Sequence, residues 1–105
     1  MDKRIAVGEL RLEHFSGRIG EAFLVPLPDR VETLVLDEAE ARKTGNAALT
    51  MRPGFSIIFR GSSPDLLLNQ GIFALRHEEL GRLELFMVPI GQLPDGNFRY
   101  QACFG

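Results

Sequence analysis

Bulky apolar residues recur at every second position in several stretches of this 105-residue chain. Successive side chains of a β-strand point to opposite faces, so a period of two marks strands with one buried face. Turn-forming residues, such as Pro28-Asp29 and Asp95-Gly96, separate these stretches. The alternation therefore predicts a sheet protein, and its inward-facing residues are Phe23, Val25, Leu27, Phe55, Ile57, Phe59, Phe73, Leu75, Leu83, Leu85, Met87, Phe98, Tyr100, Ala102 and Phe104.

Some strand segments depart from this simple pattern. A second strand is strongest over residues 31–36, and the acidic tail that follows it is compatible with strand, coil or helix. In RLELFMVPI, apolar residues on the opposite face (Phe86, Val88 and Ile90) predict a central strand covered on both sides, or a bulge near Phe86. Pro26 cannot donate a hydrogen bond to a neighbouring strand, which favours an edge position for its own strand.

The remaining segments complete the predicted fold. Leu12, Phe15 and Ile19 have helical spacing, so the stretch from Val7 to Ile19 predicts one short helix or turn. Residues 44–54 predict a loop, and the apolar run at 66–68 is expected to plug one end of the core. About six strands and one short N-terminal helix indicate a mainly β, single-domain antiparallel barrel or sandwich over residues 1–105.

Composition limits the classes of function. The formal net charge is −2, so no basic surface for nucleic acid or anionic lipid is indicated. Charged residues interrupt the N-terminal apolar residues, and no apolar run approaches the roughly 18 residues of a membrane-spanning helix. The single cysteine, Cys103, excludes an internal disulfide and suits a reducing compartment. We therefore expect a cytoplasmic protein with neither nucleic-acid nor membrane partners.

The stretch HEELGR, residues 77–82, looks more like a reactive site than any other part of the chain. His77-Glu78 begins the zinc-protease pattern H-E-x-x-H, in which two histidines on one helical face bind the metal. Gly81 occupies the place of the second histidine, and glycine also weakens a helix. The zinc interpretation therefore fails, and we expect no metal site.

A hairpin turn explains HEELGR better. One apolar run ends at Leu75, another begins at Leu83, and Gly81 supplies the backbone freedom that a tight connection needs. A site remains the alternative, because loops also carry function. The hairpin would bring together two solvated acidic residues and two basic ones, namely Glu78, Glu79, Arg76 and Arg82.

Other reactive candidates lack the neighbours that their chemistry needs. Cys103 lies on the outward face of the last strand with no thiolate-stabilising group beside it, and Ser56 is not in a nucleophile turn. His14 has no identifiable partner, and no phosphate-binding glycine loop is present. We therefore expect no enzymatic activity and no cofactor.

Four ordered motifs, FSIIFRG (55–61), QGIFALRH (70–77), LGRLELFMVPIG (80–91) and FRYQACF (98–104), give the chain a family resemblance. It resembles a family of small bacterial domains of unknown function. The resemblance implies an accessory role in a phage-tail-like assembly and supplies no catalytic residues. Once the inward-facing residues are assigned, the polar motif positions left over are Arg60, Gln70 and His77, which are expected to form a buried hydrogen-bonded set.

These observations predict a non-catalytic structural or protein-interaction module that pairs through a strand edge or an apolar patch. Its partner would be another protein or a second copy of the chain in a homodimer. The alternative is a small ligand-binding or enzymatic domain with a polar pocket around Arg60, Gln70 and His77. If the chain is a non-catalytic module, Arg60 is expected to pair with a carboxylate such as Glu84 on a neighbouring strand.

Overall fold

The structure is a computed structural model that describes residues 10–41 and 54–104. Its secondary structure consists of one short helix followed by six strands. In chain order these are α1 (Glu13–Ser16), β1 (Ala22–Pro26), β2 (Val31–Ala41), β3 (Phe55–Arg60), β4 (Gly71–His77), β5 (Gly81–Gln92) and β6 (Phe98–Phe104).

The six strands close into an antiparallel barrel in the order β1-β2-β3-β6-β5-β4. The predicted fold class is confirmed, and of its two variants the chain forms the barrel. Alternate side chains point inward and fill the interior, as expected for a barrel of this small size. Among them, Phe23 and Phe59 meet edge to face with ring centroids 5.2 Å apart. Such pairs add to the free energy gained from burial itself.

Helix α1 covers one end of the barrel, which we call the α1 end. Its Phe15 is fully buried and contacts the rings of Phe23, Phe55 and Phe104. The helix ends at Ser16, earlier than the helical spacing predicts, and Ile19 is therefore 50% exposed rather than packed on the core. The first residues of the predicted helical stretch lie outside the described residues.

The connection between β3 and β4, residues 61–70, covers the opposite end, which we call the loop end. Leu68 is buried and Leu66 packs against the core, as the sequence predicts, whereas Leu67 is exposed. The backbone N–H of Leu68 donates to the phenol oxygen of Tyr100 at 3.0 Å, which fixes the loop to β6. Both ends of the barrel are thus covered by the chain's own apolar residues.

Strands β2 and β5 resolve the ambiguous segments of the sequence. The acidic tail continues β2 to Ala41, with a register shift between Leu36 and Glu38. In β5, Phe86 and Ile90 are exposed, so the strand is covered on one face only, and its irregularity lies between Pro89 and Gly91. The predicted double coverage and the predicted bulge near Phe86 are therefore wrong. Most of the predicted loop at 44–54 lies outside the described residues.

Pro26 weakens the join that closes the barrel. Leu27 donates its N–H to Arg30 of the β2 side, so the alternate residues of β1, Leu24 and Pro26, turn their backbone groups towards β4. Only Leu24 forms a registered pair with β4, opposite Arg76. Since Pro26 has no N–H, the pairing cannot continue there. The predicted edge position of β1 is therefore wrong, because β1 pairs with β2 on one side and, through the single pair of Leu24 and Arg76, with β4 on the other.

Candidate functional site

His77 is the buried polar residue at the α1 end, where it closes β4. Its side chain is only 3% exposed, and its ring centroid lies 4.5 Å from that of Phe23. The Nδ1 atom accepts two backbone hydrogen bonds, from the N–H of Glu79 at 3.0 Å and from that of Leu80 at 3.1 Å. The Nε2 atom lies 2.7 Å from Oε1 of Glu21.

These contacts assign the tautomer of the His77 ring. Because Nδ1 accepts from two N–H groups, the proton of a neutral ring lies on Nε2, which donates to Glu21. A general base needs a free nitrogen lone pair, and here the lone pair on Nδ1 is already used. The imidazole therefore acts as a brace for the turn rather than as a reactive group.

The HEELGR stretch is a hairpin turn, as predicted. His77 and Gly81 form the last pair between β4 and β5, and three residues connect them. Gly81 has φ of 78°, a conformation that glycine adopts without the steric cost that a Cβ imposes. The charged residues pair differently from the prediction, since the ion pairs are Arg18 with Glu79 at 3.4 Å and Arg82 with Glu84 at 3.5 Å.

The three polar motif residues are not brought together. Gln70 is exposed and immediately precedes β4, whereas His77 ends that strand. Seven residues of extended chain separate them, or roughly 23 Å, so one small ligand would not contact both. Arg60 ends β3 and shares the loop end with Gln70. The expected buried hydrogen-bonded set of all three is therefore not formed.

Arg60 also lacks its predicted partner. It lies opposite Arg99 of β6 and beside β2, while Glu84 belongs to β5, two strands away. Arg99 is neutralised by Asp37 at 3.2 Å and by Glu38 at 2.7 Å. The hydrogen bond that Arg99 donates to Glu38, together with the negative charge of Asp37, raises the pKa of the Arg99 guanidinium. This side of the barrel is thus a charged surface on which the positive charge of Arg99 is paired with carboxylates.

Sequence reasoning missed the buried carboxylate of Glu32, which is 1% exposed. Its Oε1 accepts from the N–H of Thr33 at 2.9 Å and from the hydroxyl of Ser63 at 3.0 Å, and its Oε2 has no partner among the described residues. The alternation offered a signal, because Glu32 shares its parity with the inward-facing leucines of β2. The Ser63 contact ties the 61–70 connection to β2 at the loop end.

Gly61, which follows Arg60, lies beside two buried side chains. A Cβ at this position would lie 3.4 Å from Oε2 of Glu32 and 3.5 Å from a ring carbon of Tyr100. Burial raises the pKa of the Tyr100 phenol, which stays protonated. At the loop end, Glu32 and Tyr100 both form hydrogen bonds to the 61–70 connection.

An exposed apolar surface lies on the opposite side of the barrel from Arg60 and Arg99. Ile72 of β4 is 72% exposed and faces Phe86 of β5, which is 53% exposed. Across β1, the exposed Leu24 lies next to β4, and the exposed Val31 pairs with Pro26. We call this surface the apolar face, and it consists of Leu24, Pro26, Val31, Ile72 and Phe86.

The described parts of the chain offer few other sites. They contain no group of three or more histidine, cysteine, aspartate or glutamate residues placed to hold a metal ion. No helix in the ranges 10–41 and 54–104 combines the length and the apolar character needed to cross a membrane. Cys103 is exposed, as predicted.

The geometry defines a small closed β-barrel in which His77 braces a turn, Glu32 holds a loop and the apolar face points outward. The chain belongs to the family described as Domain of unknown function (DUF6916), whose model matches residues 10–104. The predicted membership of a family of domains of unknown function is thereby confirmed. Searches of the curated proteins and of the solved structures return no match.

Proposed function

We propose that this chain is a non-catalytic structural or protein-interaction module that binds a protein partner, or a second copy of itself, through the apolar face. The exposed pair Ile72 and Phe86 is the observation that carries this proposal. Outward positions of a strand are ordinarily polar when they face water. Two large apolar side chains directly opposite each other, with Leu24, Pro26 and Val31 nearby, indicate a surface that a partner covers.

The buried polar groups support a role without catalysis. Both ring nitrogens of His77 are used in hydrogen bonds, and the carboxylate of Glu32 holds the loop end to β2. The barrel ends are covered by Phe15 and Leu68, which favours a filled interior over a ligand pocket. We infer that the protein acts in the cytoplasm without cofactor, nucleic acid or membrane.

The resemblance to small bacterial domains suggests which partner to seek. We infer that the partner is a component of a phage-tail-like assembly, to which this barrel is accessory. A compact barrel with one apolar side suits such a role, because interfaces within particles bury apolar surface between rigid subunits. Identifying the partner by mass spectrometry after cross-linking in the producing cell checks this inference.

The experiment compares Ile72→Asn with the matched control Ile19→Asn, since both residues are exposed but only Ile72 lies on the apolar face. Sedimentation velocity measures self-association, and affinity capture with mass spectrometry measures partner binding. We expect Ile72→Asn to lose the partner or the dimer, whereas Ile19→Asn keeps it. A wild-type protein that is strictly monomeric and captures nothing specific would refute the proposal.

A further inference from the structure

A row of two arginines borders the apolar face on the side towards the α1 end. Arg76 of β4 lies directly opposite Arg82 of β5, four pairs along from Ile72 and Phe86, and the pair Ala74 and Glu84 lies between them on the same outward face. Both arginines are exposed. Like charges directly opposite each other on a sheet destabilise it, so this row lowers the stability of the isolated barrel.

The chain's own carboxylates compensate this row only in part. Glu84 accepts from Arg82 at 3.5 Å, with both side chains close to half exposed. Arg76 has no ion pair with any residue in the described ranges, where its registered neighbour on β1 is the apolar Leu24. The chain as a whole is slightly acidic, with a formal net charge of −2, so a pair of opposed arginines runs against its overall charge.

We propose that the apolar face, together with the Arg76 and Arg82 row, binds a protein partner that presents apolar side chains beside carboxylates. This inference rests on the proposed function and names the chemistry of the partner. On β4, Ile72 and Arg76 lie four residues apart on the same outward face, or roughly 13 Å. The partner therefore places its apolar group and its carboxylate at about that separation, on an extended segment or along a helix.

The charge pattern also separates this partner from a second copy. In a twofold dimer centred on the arginine row, Arg76 and Arg82 would meet the same two residues of the other chain. Four guanidinium groups would then lie together, which opposes that arrangement. An acidic partner relieves the repulsion between Arg76 and Arg82 instead, so the same row that weakens the free barrel favours the complex.

The test uses a random peptide library displayed on phage, selected on the immobilised full chain. We expect the enriched peptides to combine aspartate or glutamate with aromatic or aliphatic residues. A synthetic copy of the most enriched peptide is then measured by fluorescence anisotropy, at about 0.05 M and about 0.5 M NaCl. Binding is expected to weaken at the higher salt concentration, since rim charges are screened by salt.

Two charge reversals sharpen this test. Arg76→Glu faces Arg82 and removes the like-charge pair, so the variant keeps its fold while its affinity for the peptide falls about tenfold or more. Arg11→Glu makes the same charge change on an exposed residue that lies outside the six strands, and we expect it to leave the affinity unchanged. A peptide with lysine in place of its acidic residues is expected to bind Arg76→Glu better than it binds the wild-type protein.

The outcomes separate this inference from the proposed function. If Ile72→Asn abolishes peptide binding while Arg76→Glu has no effect, the apolar face binds a partner but the acidic partner is refuted. If the wild type is a dimer that Ile72→Asn dissociates and Arg76→Glu leaves intact, the occupant is a second copy, which also refutes the inference. If no peptide is enriched on the wild type above the level on Ile72→Asn, the acidic partner is refuted, whereas the proposed function is decided separately by sedimentation velocity and affinity capture.

Discussion

Substitutions of the buried His77 can remove the contacts of Nδ1 and those of Nε2 separately. His77→Asn keeps an acceptor oxygen close to the position of Nδ1, and His77→Gln keeps an amide donor close to the position of Nε2. His77→Phe keeps most of the ring and removes both kinds of hydrogen bond. Because Asn and Gln both lose the packing against Phe23, the difference between those two variants compares the turn contacts with the Glu21 contact.

The magnitudes follow from which groups are left without a partner. The Leu80 N–H lies in buried surroundings, so leaving it without an acceptor costs about 1–3 kcal/mol, and the less buried Glu79 N–H costs less. Glu21 is 41% exposed, so water replaces most of its bond. We therefore expect His77→Phe to lower the free energy of unfolding by roughly 3 kcal/mol, a large part of the roughly 5–15 kcal/mol of a small domain.

Urea unfolding followed by circular dichroism measures these differences, provided that the m-values stay equal among the variants. His77→Asn is expected to be about 1 kcal/mol more stable than His77→Gln, because the turn contacts outweigh the exposed Glu21 contact. Strand propensity works in the opposite direction, since asparagine is among the residues depleted in strands. A phenylalanine variant within about 0.5 kcal/mol of the wild type, or a glutamine variant more stable than the asparagine variant, would refute the bracing role of the ring.

Three further changes test other parts of the barrel. Tyr100→Phe removes the acceptor of the Leu68 N–H and is expected to lower the free energy of unfolding by about 1–3 kcal/mol in urea, with faster hydrogen exchange at residue 68. The hydrogen bond and charge of Arg30 lower the pKa of Asp65. The stability that this ion pair contributes is therefore complete above the ordinary carboxyl pKa and is lost as the pH falls through the lowered value. Asp65→Asn should flatten that part of a stability–pH curve. Gly81→Ala forces a Cβ into positive φ and should lower the thermal midpoint by the equivalent of roughly 1–2 kcal/mol, whereas an unchanged midpoint would contradict the strained turn.

The strands were predictable because alternation reports burial directly. Leu83, Leu85 and Met87 have the period of β5, and Tyr100 and Ala102 have that of β6, so the inward face follows from the spacing alone. The closure of the barrel was not predictable in the same way. It depends on pairing between residues far apart in the chain, such as Leu24 with Arg76, and no local pattern encodes that partner.

The polar positions show where local reasoning fails. His77 was singled out for its residue type, yet its surroundings depend on Glu21, which is 56 residues away in the chain. Glu32 was overlooked because its charge suggested exposure, although its parity within β2 placed it inside. The carboxylate is tolerated there because Thr33 and Ser63 both donate to Oε1, and the second of these donors comes from a distant loop.

The residues that the fold does not need are the best guide to function. The barrel accounts for His77 as a turn brace, for Gly61 as the point where the backbone approaches Glu32, and for the inward aromatic residues as core. It does not account for Ile72 and Phe86, which occupy outward positions where polar residues would serve the sheet equally well. Sequences that agree with their fold at most positions break its rules mainly where something else is selected. Because these exceptions lie opposite each other, four pairs from an arginine row on the same outward face, we propose that a partner covers them.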